Sequence, residues 1–213
     1  MLVVCTGTGT EIGKTWVGAA VLSQLKAEGV SVAARKPVQS YDAADTGPTD
    51  ADVLAMATGE HPQDVCPGHR WYQIAMAPPM AAALLEADVF TVADLVGEIQ
   101  WPSPTPAVRW VETVGGVRSP IAFDGDSVDL CDALEPDLVV LVGDGALGTI
   151  NSIRLSANAL AAHPILVVLN RWGSGGDVES LNRAWLTDRD GFDVVVSPPA
   201  VVERLRGTVE GQR

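Results

Sequence analysis

Gly7-Thr-Gly-Thr-Glu-Ile-Gly-Lys-Thr15 follows a short apolar run, Leu2 to Thr6, and opens a helical pattern at Lys14. Strand, glycine-rich turn and helix in that order form the context of a phosphate-binding loop. The glycines let backbone amides turn inward, and the helix N-terminus adds its dipole. Lys14 is placed to reach the β and γ phosphates of a nucleoside triphosphate, and Thr15 to set its hydroxyl on Mg²⁺. The spacing departs from the strict G-x4-G-K-[ST] pattern, because Thr8 occupies the expected first position and Gly7 lies one residue further out. This is a variant loop, and residues Gly9, Thr10, Glu11, Ile12, Gly13, Lys14 and Thr15 are its expected nucleotide contacts.

Outward from the loop, β-branched runs alternate with helical patterns. Leu2 to Thr6, Val32 to Lys36, Val108 to Val114, Leu138 to Val142, Ile165 to Leu169 and Phe192 to Val196 read as strands. They are almost continuously apolar, as strands covered on both faces are. Helices are expected at Lys14 to Glu28, Asp50 to Thr58, Ala77 to Ala87, Val92 to Ile99, Asn151 to Ala162 and Val178 to Leu186. The fold class that follows is α/β, a doubly wound and mainly parallel sheet of P-loop type, taken as one domain over residues 1–213. Trp101-Pro-Ser-Pro-Thr-Pro106 reads as a rigid lead-in to the next strand, not a boundary. Gly207 to Arg213 reads as a frayed tail. In such sheets ligands sit beyond the carboxyl ends of the strands, so the loops after Cys5, Lys36, Val111, Val142 and Leu169 are the ones to inspect.

With 213 residues, 47% hydrophobic and 19% charged, the chain has the length of one core. Its net charge of -13 repels phosphate backbones and anionic lipid surfaces, which argues against nucleic acid and membrane partners. An ATP site must then build a local positive field from placed cations, amides and metal. Only three lysines are present, Lys14, Lys26 and Lys36, against eleven arginines, and two of the three fall in motifs. Cys5, Cys66 and Cys131 are widely separated and lack metal spacing, so neither disulfides nor zinc are expected. The first apolar run is too short for a signal peptide and no 18-residue apolar stretch follows, which fits a cytoplasmic protein.

The P-loop resembles that of dethiobiotin synthetases, GT-x-T-x-[VI]-GKT. Further matches follow in that family's order over residues 2 to 172. Arg35-Lys-Pro-Val-Gln-Ser40 is similar to its second lysine motif, Thr49-Asp50-Ala-Asp-Val-Leu54 to its metal-binding aspartate segment, and Met76-Ala-Pro-Pro-Met-Ala81 to its A-P helix start. Val111-Glu-Thr-Val-Gly-Gly116 resembles VEGAGG, Leu147-Gly-Thr-Ile-Asn151 resembles LG-x-[IL]-N, and Asn170 stands where the family keeps an adenine-reading asparagine.

The resemblance implies a reaction joining CO2 to 7,8-diaminopelargonate at the expense of ATP: a carbamate forms, ATP phosphorylates it, and the second amine closes a cyclic urea. Phosphoryl transfer to a carbamate brings two anions together, so charge neutralisation and alignment are the demands. Mg²⁺ would be held by Thr15, Asp50 and Glu112. Lys14 and Lys36 would flank the transferred group, with Thr10 and Ser40 completing the catalytic set. Substrate contacts are expected from Thr10, Lys36, Ser40 and Gly115, with Gly148, Thr149 and Asn151 taking a carboxylate from a neighbouring subunit, hence a homodimer. Glu11 would stabilise an ammonium or organise the loop.

Structural roles compete for several of these residues. Thr49 or Asp50 can cap a helix, Glu112 can pair with Arg109 or Arg118, Asn151 can be an N-cap and Asn170 a turn residue. His61, His69 and His163 share no metal spacing. Glu112-Thr-Val-Gly-Gly116 replaces the small residues of E-G-A-G-G by β-branched ones that resist positive φ, and Tyr41 stands where a glycine is usual. A divergent paralogue with altered or lost activity therefore stays open. A second alternative is a ParA or MinD-like ATPase switch. Those loops carry an extra lysine at the position of Gly9. The related ligases with an appended glutaminase domain need more chain than this.

Overall fold

The computed structural model describes residues 1–173 and 176–211. Its main sheet has six parallel strands: β1 (Leu2–Gly7), β2 (Val32–Arg35), β5 (Val108–Glu112), β6 (Leu138–Asp144), β7 (Ile165–Asn170) and β8 (Asp193–Val195). They lie in the order β2-β5-β1-β6-β7-β8, with register set by pairs such as Cys5 to Glu112 and Thr6 to Leu141. A separate two-stranded ladder joins β3 (Gln39–Ser40) to β4 (Trp71–Tyr72).

Alternate residues of each strand bury on opposite faces, which is why the strands read as continuous apolar runs. On one face Val4, Val111, Leu141 and Leu169 pack under α4 (Pro78–Leu84), α5 (Val92–Gly97), α6 (Ser127–Leu134) and α7 (Thr149–Ala159). On the other, Val3, Cys5, Trp110 and Val168 meet α1 (Lys14–Ala27), α2 (Asp50–Thr58), the short α3 (Pro62–Val65) and α9 (Pro198–Gly211). Another helix, α8 (Asp177–Asp188), follows β7. The three cysteines are free and buried, and among the described residues no helix is long and apolar enough to cross a membrane.

Several expected bounds move. The strand expected at Val108 to Val114 stops at Glu112, and the helix expected from Asn151 begins at Thr149. Helix α6 was not expected, although Asp126 and Asp129 form the capping box that starts it. The frayed tail is corrected through Gly211. Pro198 and Pro199 open α9, whose Val201, Val202 and Leu205 are fully buried on the α1 side of the sheet. Proline suits the first turn because its missing N–H has no partner there anyway. Residues 212 and 213 lie outside the described residues.

Candidate active site

Three neighbouring strand ends bring the expected residues together. β1 leads into the phosphate loop, β2 into Lys36, and β5 ends on Glu112. The Lys36 ammonium lies 2.6 Å from Asp50 Oδ2 and 2.6 Å from Glu112 Oε1. Thr15 Oγ1 lies 2.7 Å from Asp50 Oδ1 and 2.8 Å from Glu112 Oε1. Glu112 is fully buried and Lys36 nearly so, whereas the Asp50 side chain stays half-exposed.

Local sequence explains this delivery. Thr49 and Asp52 form a capping box that starts α2, so the cap falls to Thr49 and the Asp50 carboxylate is left to turn toward Thr15 and Lys36. Glu112 pairs with Lys36, not with Arg109 or Arg118, and Arg118 is taken by Asp126. The β-branched residues after Glu112 are accommodated because the positive φ of this turn falls later, at Gly115 with φ 65°. A Cβ on Gly115 would lie 2.5 Å from Ser119 Oγ, which also accepts from the Gly116 N–H. Thr113 is buried and donates its hydroxyl to that of Thr6, 3.0 Å away, tying β5 to β1 behind the site.

Electrostatics follow from burial. Dehydration disfavours the Lys36 charge, but the Glu112 and Asp50 carboxylates outweigh it and hold the ammonium above the ordinary lysine value. Burial pushes the Glu112 carboxyl up, against the pull of Lys36 and with the repulsion of Asp50. Lys14 is lowered by burial and then by Lys36. Its ammonium donates to Gly9 O at 3.0 Å and Gly115 O at 2.7 Å, folded onto carbonyls at the mouth of the loop.

A cavity of about 750 Å³ opens above this cluster, lined by Thr10, Glu11, Gly13, Lys14, Thr15, Lys36, Ser40, Asp50 and Gly115 among others. Ser40 donates to Met76 O at 2.6 Å, which joins the ladder strand β3 to the start of α4. Sequence reasoning gave no site role to Asp42, Asp45, Pro48, Ser119 and Pro120, which complete the wall and carry no motif of their own. Tyr41, noted only as a departure, also lines it, its ring edge-on to Trp71.

The Leu147 to Asn151 segment does not line this cavity. Gly148, not Asn151, is the N-cap of α7, and Asn151 is exposed. Thr149 is buried, and its hydroxyl donates to Asp144 O at 2.6 Å, which braces the turn. Gly148 and Asn151 remain the open groups there. Asn170 is buried, and its Nδ2 donates to Ile12 O at 2.9 Å. The histidines serve locally: His61 caps α3, His69 pairs with Glu98 and His163 with Asp132.

Oxygen donors of this kind fit a small hard cation. The Thr15 hydroxyl has one proton but two carboxylate oxygens at bonding distance, and Glu112 Oε2 is buried with no partner. Among the described residues no three His, Cys, Asp or Glu side chains gather as a closed cage. Two carboxylates and a hydroxyl form the open set that Mg²⁺ uses beside phosphate oxygens.

Residues 2–195 match the family model described as AAA domain. The chain is 32% identical over 199 residues to the ATP-dependent dethiobiotin synthetase of Caulobacter sp. (strain K31), covering 91% of this chain and 86% of the relative. The chain belongs to the ATP-dependent dethiobiotin synthetase family. That family is one of ATP-dependent ligases, and the motif resemblance is accounted for by descent. A second dethiobiotin synthetase, from Haloferax mediterranei, is 31% identical over 209 residues, 96% of this chain and 87% of the relative. Among solved structures, a plasmid partition protein from Borrelia burgdorferi aligns with a TM-score of 0.54 at 11% identity, over 98% of this chain and 96% of that one. At that identity the likeness speaks for the shared fold of synthetase and partition protein.

Proposed function

We propose that the protein carboxylates and cyclises 7,8-diaminopelargonate with CO2 and ATP, giving dethiobiotin, ADP and phosphate. The observation that carries this reading is the convergence of Lys36, Asp50, Glu112 and Thr15 beside the phosphate loop, in a chain of this family. One substrate amine adds to CO2, losing a proton and leaving a carbamate anion. A carbamate oxygen attacks the γ phosphorus as the bond to ADP breaks. The second amine then attacks the carbonyl carbon, and phosphate leaves as the ring closes.

The chain's own groups meet the main demand of that sequence, which is to hold anions together. Inward amides of the loop and the N-terminus of α1 take the triphosphate. Helix α1 favours this because its N-cap is Gly13 and its first turn holds no acid. Lys14, released from the Gly9 and Gly115 carbonyls, reaches the phosphates. Lys36 stays charged in a dehydrated site beside Asp50 and Glu112 and would turn its ammonium to the transferred group, where fixed charge lowers the barrier most. Thr10 and Ser40 face the same cavity and orient the carbamate end. Thr15, Asp50 and Glu112 would hold Mg²⁺, which when bound neutralises phosphate charge and aligns its oxygens. Asn170 would meet the adenine. A second copy of the chain would present Gly148, Thr149 and Asn151 to the substrate carboxylate, in a homodimer.

Purified protein supplied with Mg-ATP, bicarbonate and the diamine is expected to form dethiobiotin and ADP, read by mass spectrometry. ATP hydrolysis indifferent to the diamine, with no product, would overturn the ligase reading in favour of a nucleotide-driven switch.

A further inference from the structure

A phosphate loop turns its amides toward the anion, and its carbonyls must then find donors elsewhere. In this chain two consecutive residues at the end of β7 supply them. Asn170 Nδ2 donates to Ile12 O at 2.9 Å, and the Arg171 guanidinium donates to Glu11 O. Glu11 has φ 58° and Arg171 φ 54°, both left-handed conformations that non-glycine residues hold only where their surroundings fix them. Gly13 follows with φ 95°, and a Cβ there would fall 2.1 Å from Asn170 Nδ2. The loop and the strand end are therefore fitted to each other at three successive points: Glu11, Ile12 and Gly13.

We propose that Asn170 and Arg171 are positioning residues that latch the phosphate loop in its anion-binding shape. This rests on the nucleotide reading of the site and adds to it. With one Nδ2 hydrogen engaged by the loop, the amide plane of Asn170 is fixed, and its second Nδ2 hydrogen and Oδ1 are what it has left for a ligand. A base contact at Asn170 and the shape of the phosphate loop thus share one side chain. Loss of the latch weakens binding of a polyphosphate that has no base at all, which loss of a base contact cannot do.

The test measures the affinity of the full chain for Mg-ATP and for Mg-tripolyphosphate by calorimetry, in the wild type and in Asn170→Ala, Arg171→Ala and Arg171→Lys. Each alanine variant is expected to weaken tripolyphosphate by about three- to tenfold, the worth of one hydrogen bond. Arg171→Lys, which keeps a donor, is expected to recover most of that loss. Arg171 is exposed, so its variants keep the wild-type thermal midpoint and separate positioning from folding. Tripolyphosphate affinity unchanged in both alanine variants, with ATP alone weakened, would overturn the latch and leave a base contact. A wild-type chain that binds neither ligand would overturn the nucleotide reading itself, and the latch with it.

Discussion

Helices α1 and α7 begin alike and end up in opposite surroundings. Each has a left-handed glycine as its N-cap, Gly13 at φ 95° and Gly148 at φ 93°, with no side-chain cap and no acid in the first turn. Helices α2 and α6, by contrast, close their own N-termini with capping boxes. Around Gly13 the space is filled, with Asn170 at its back and the lysine and carboxylate cluster in front. Around a Cβ on Gly148 there is nothing within 4 Å, and Leu147 beside it is 85% exposed. One helix start is finished inside the chain. The other is left open to solvent.

The largest expected effect comes from breaking the filled end. Lys36→Ala leaves Glu112 buried without its ammonium, which costs about 3 to 5 kcal/mol when a buried pair loses one member. Product formation should fall by at least about a hundredfold, and urea unfolding with a turnover assay reads both losses. A matched pair of alanines then sharpens the contrast. Gly148→Ala carries only the strain of a left-handed alanine, about 1 kcal/mol. Gly13→Ala adds the collision with Asn170 and should cost clearly more, with nucleotide affinity lost as well. Equal denaturation midpoints for the two would erase the distinction.

At the open end, Asn151→Ala is exposed and should leave stability within about 0.5 kcal/mol. The KM for the diamine should rise while that for ATP holds, as steady-state kinetics would show. The smallest effect lies away from both ends. Hydrogen bonds from Arg70 hold the Glu98 carboxyl below the ordinary glutamate value. In that window the folded chain binds fewer protons than the unfolded one, so this contribution is present above the ordinary glutamate range and lost as pH falls through the lowered value. Glu98→Gln should therefore flatten the fall in urea midpoint as pH drops below the ordinary glutamate range. Since Glu98 is partly exposed, solvent keeps the change small.

The sheet and the phosphate loop were legible because their signals are local: apolar runs of strand length, and a glycine turn between strand and helix. Lys36 and Glu112 were legible as motif residues, but their 2.6 Å pairing was not, since it joins positions 76 residues apart. The same holds for Asn170 and Ile12, separated by 158 residues. Thr149 shows a different limit. Its place in a motif suggests a ligand contact for its backbone amide, while the bracing of its hydroxyl on Asp144 O carries no signal in the sequence. Helix α6 carried a readable start in Asp126 and Asp129, whereas β3 and β4 are two residues each and too short for any periodicity to register.

The Thr6 and Thr113 hydroxyls, bonded behind Glu112, bear on how this chain can change over generations. Replacing Thr113 by glycine would leave the Thr6 hydroxyl without that partner in a dry interior and open a void beside it. A change at position 113 alone is thus disfavoured unless Thr6 is replaced too. The two hydroxyls constrain one another, so a smaller residue in this turn is accommodated only by a matching change in the strand beside it.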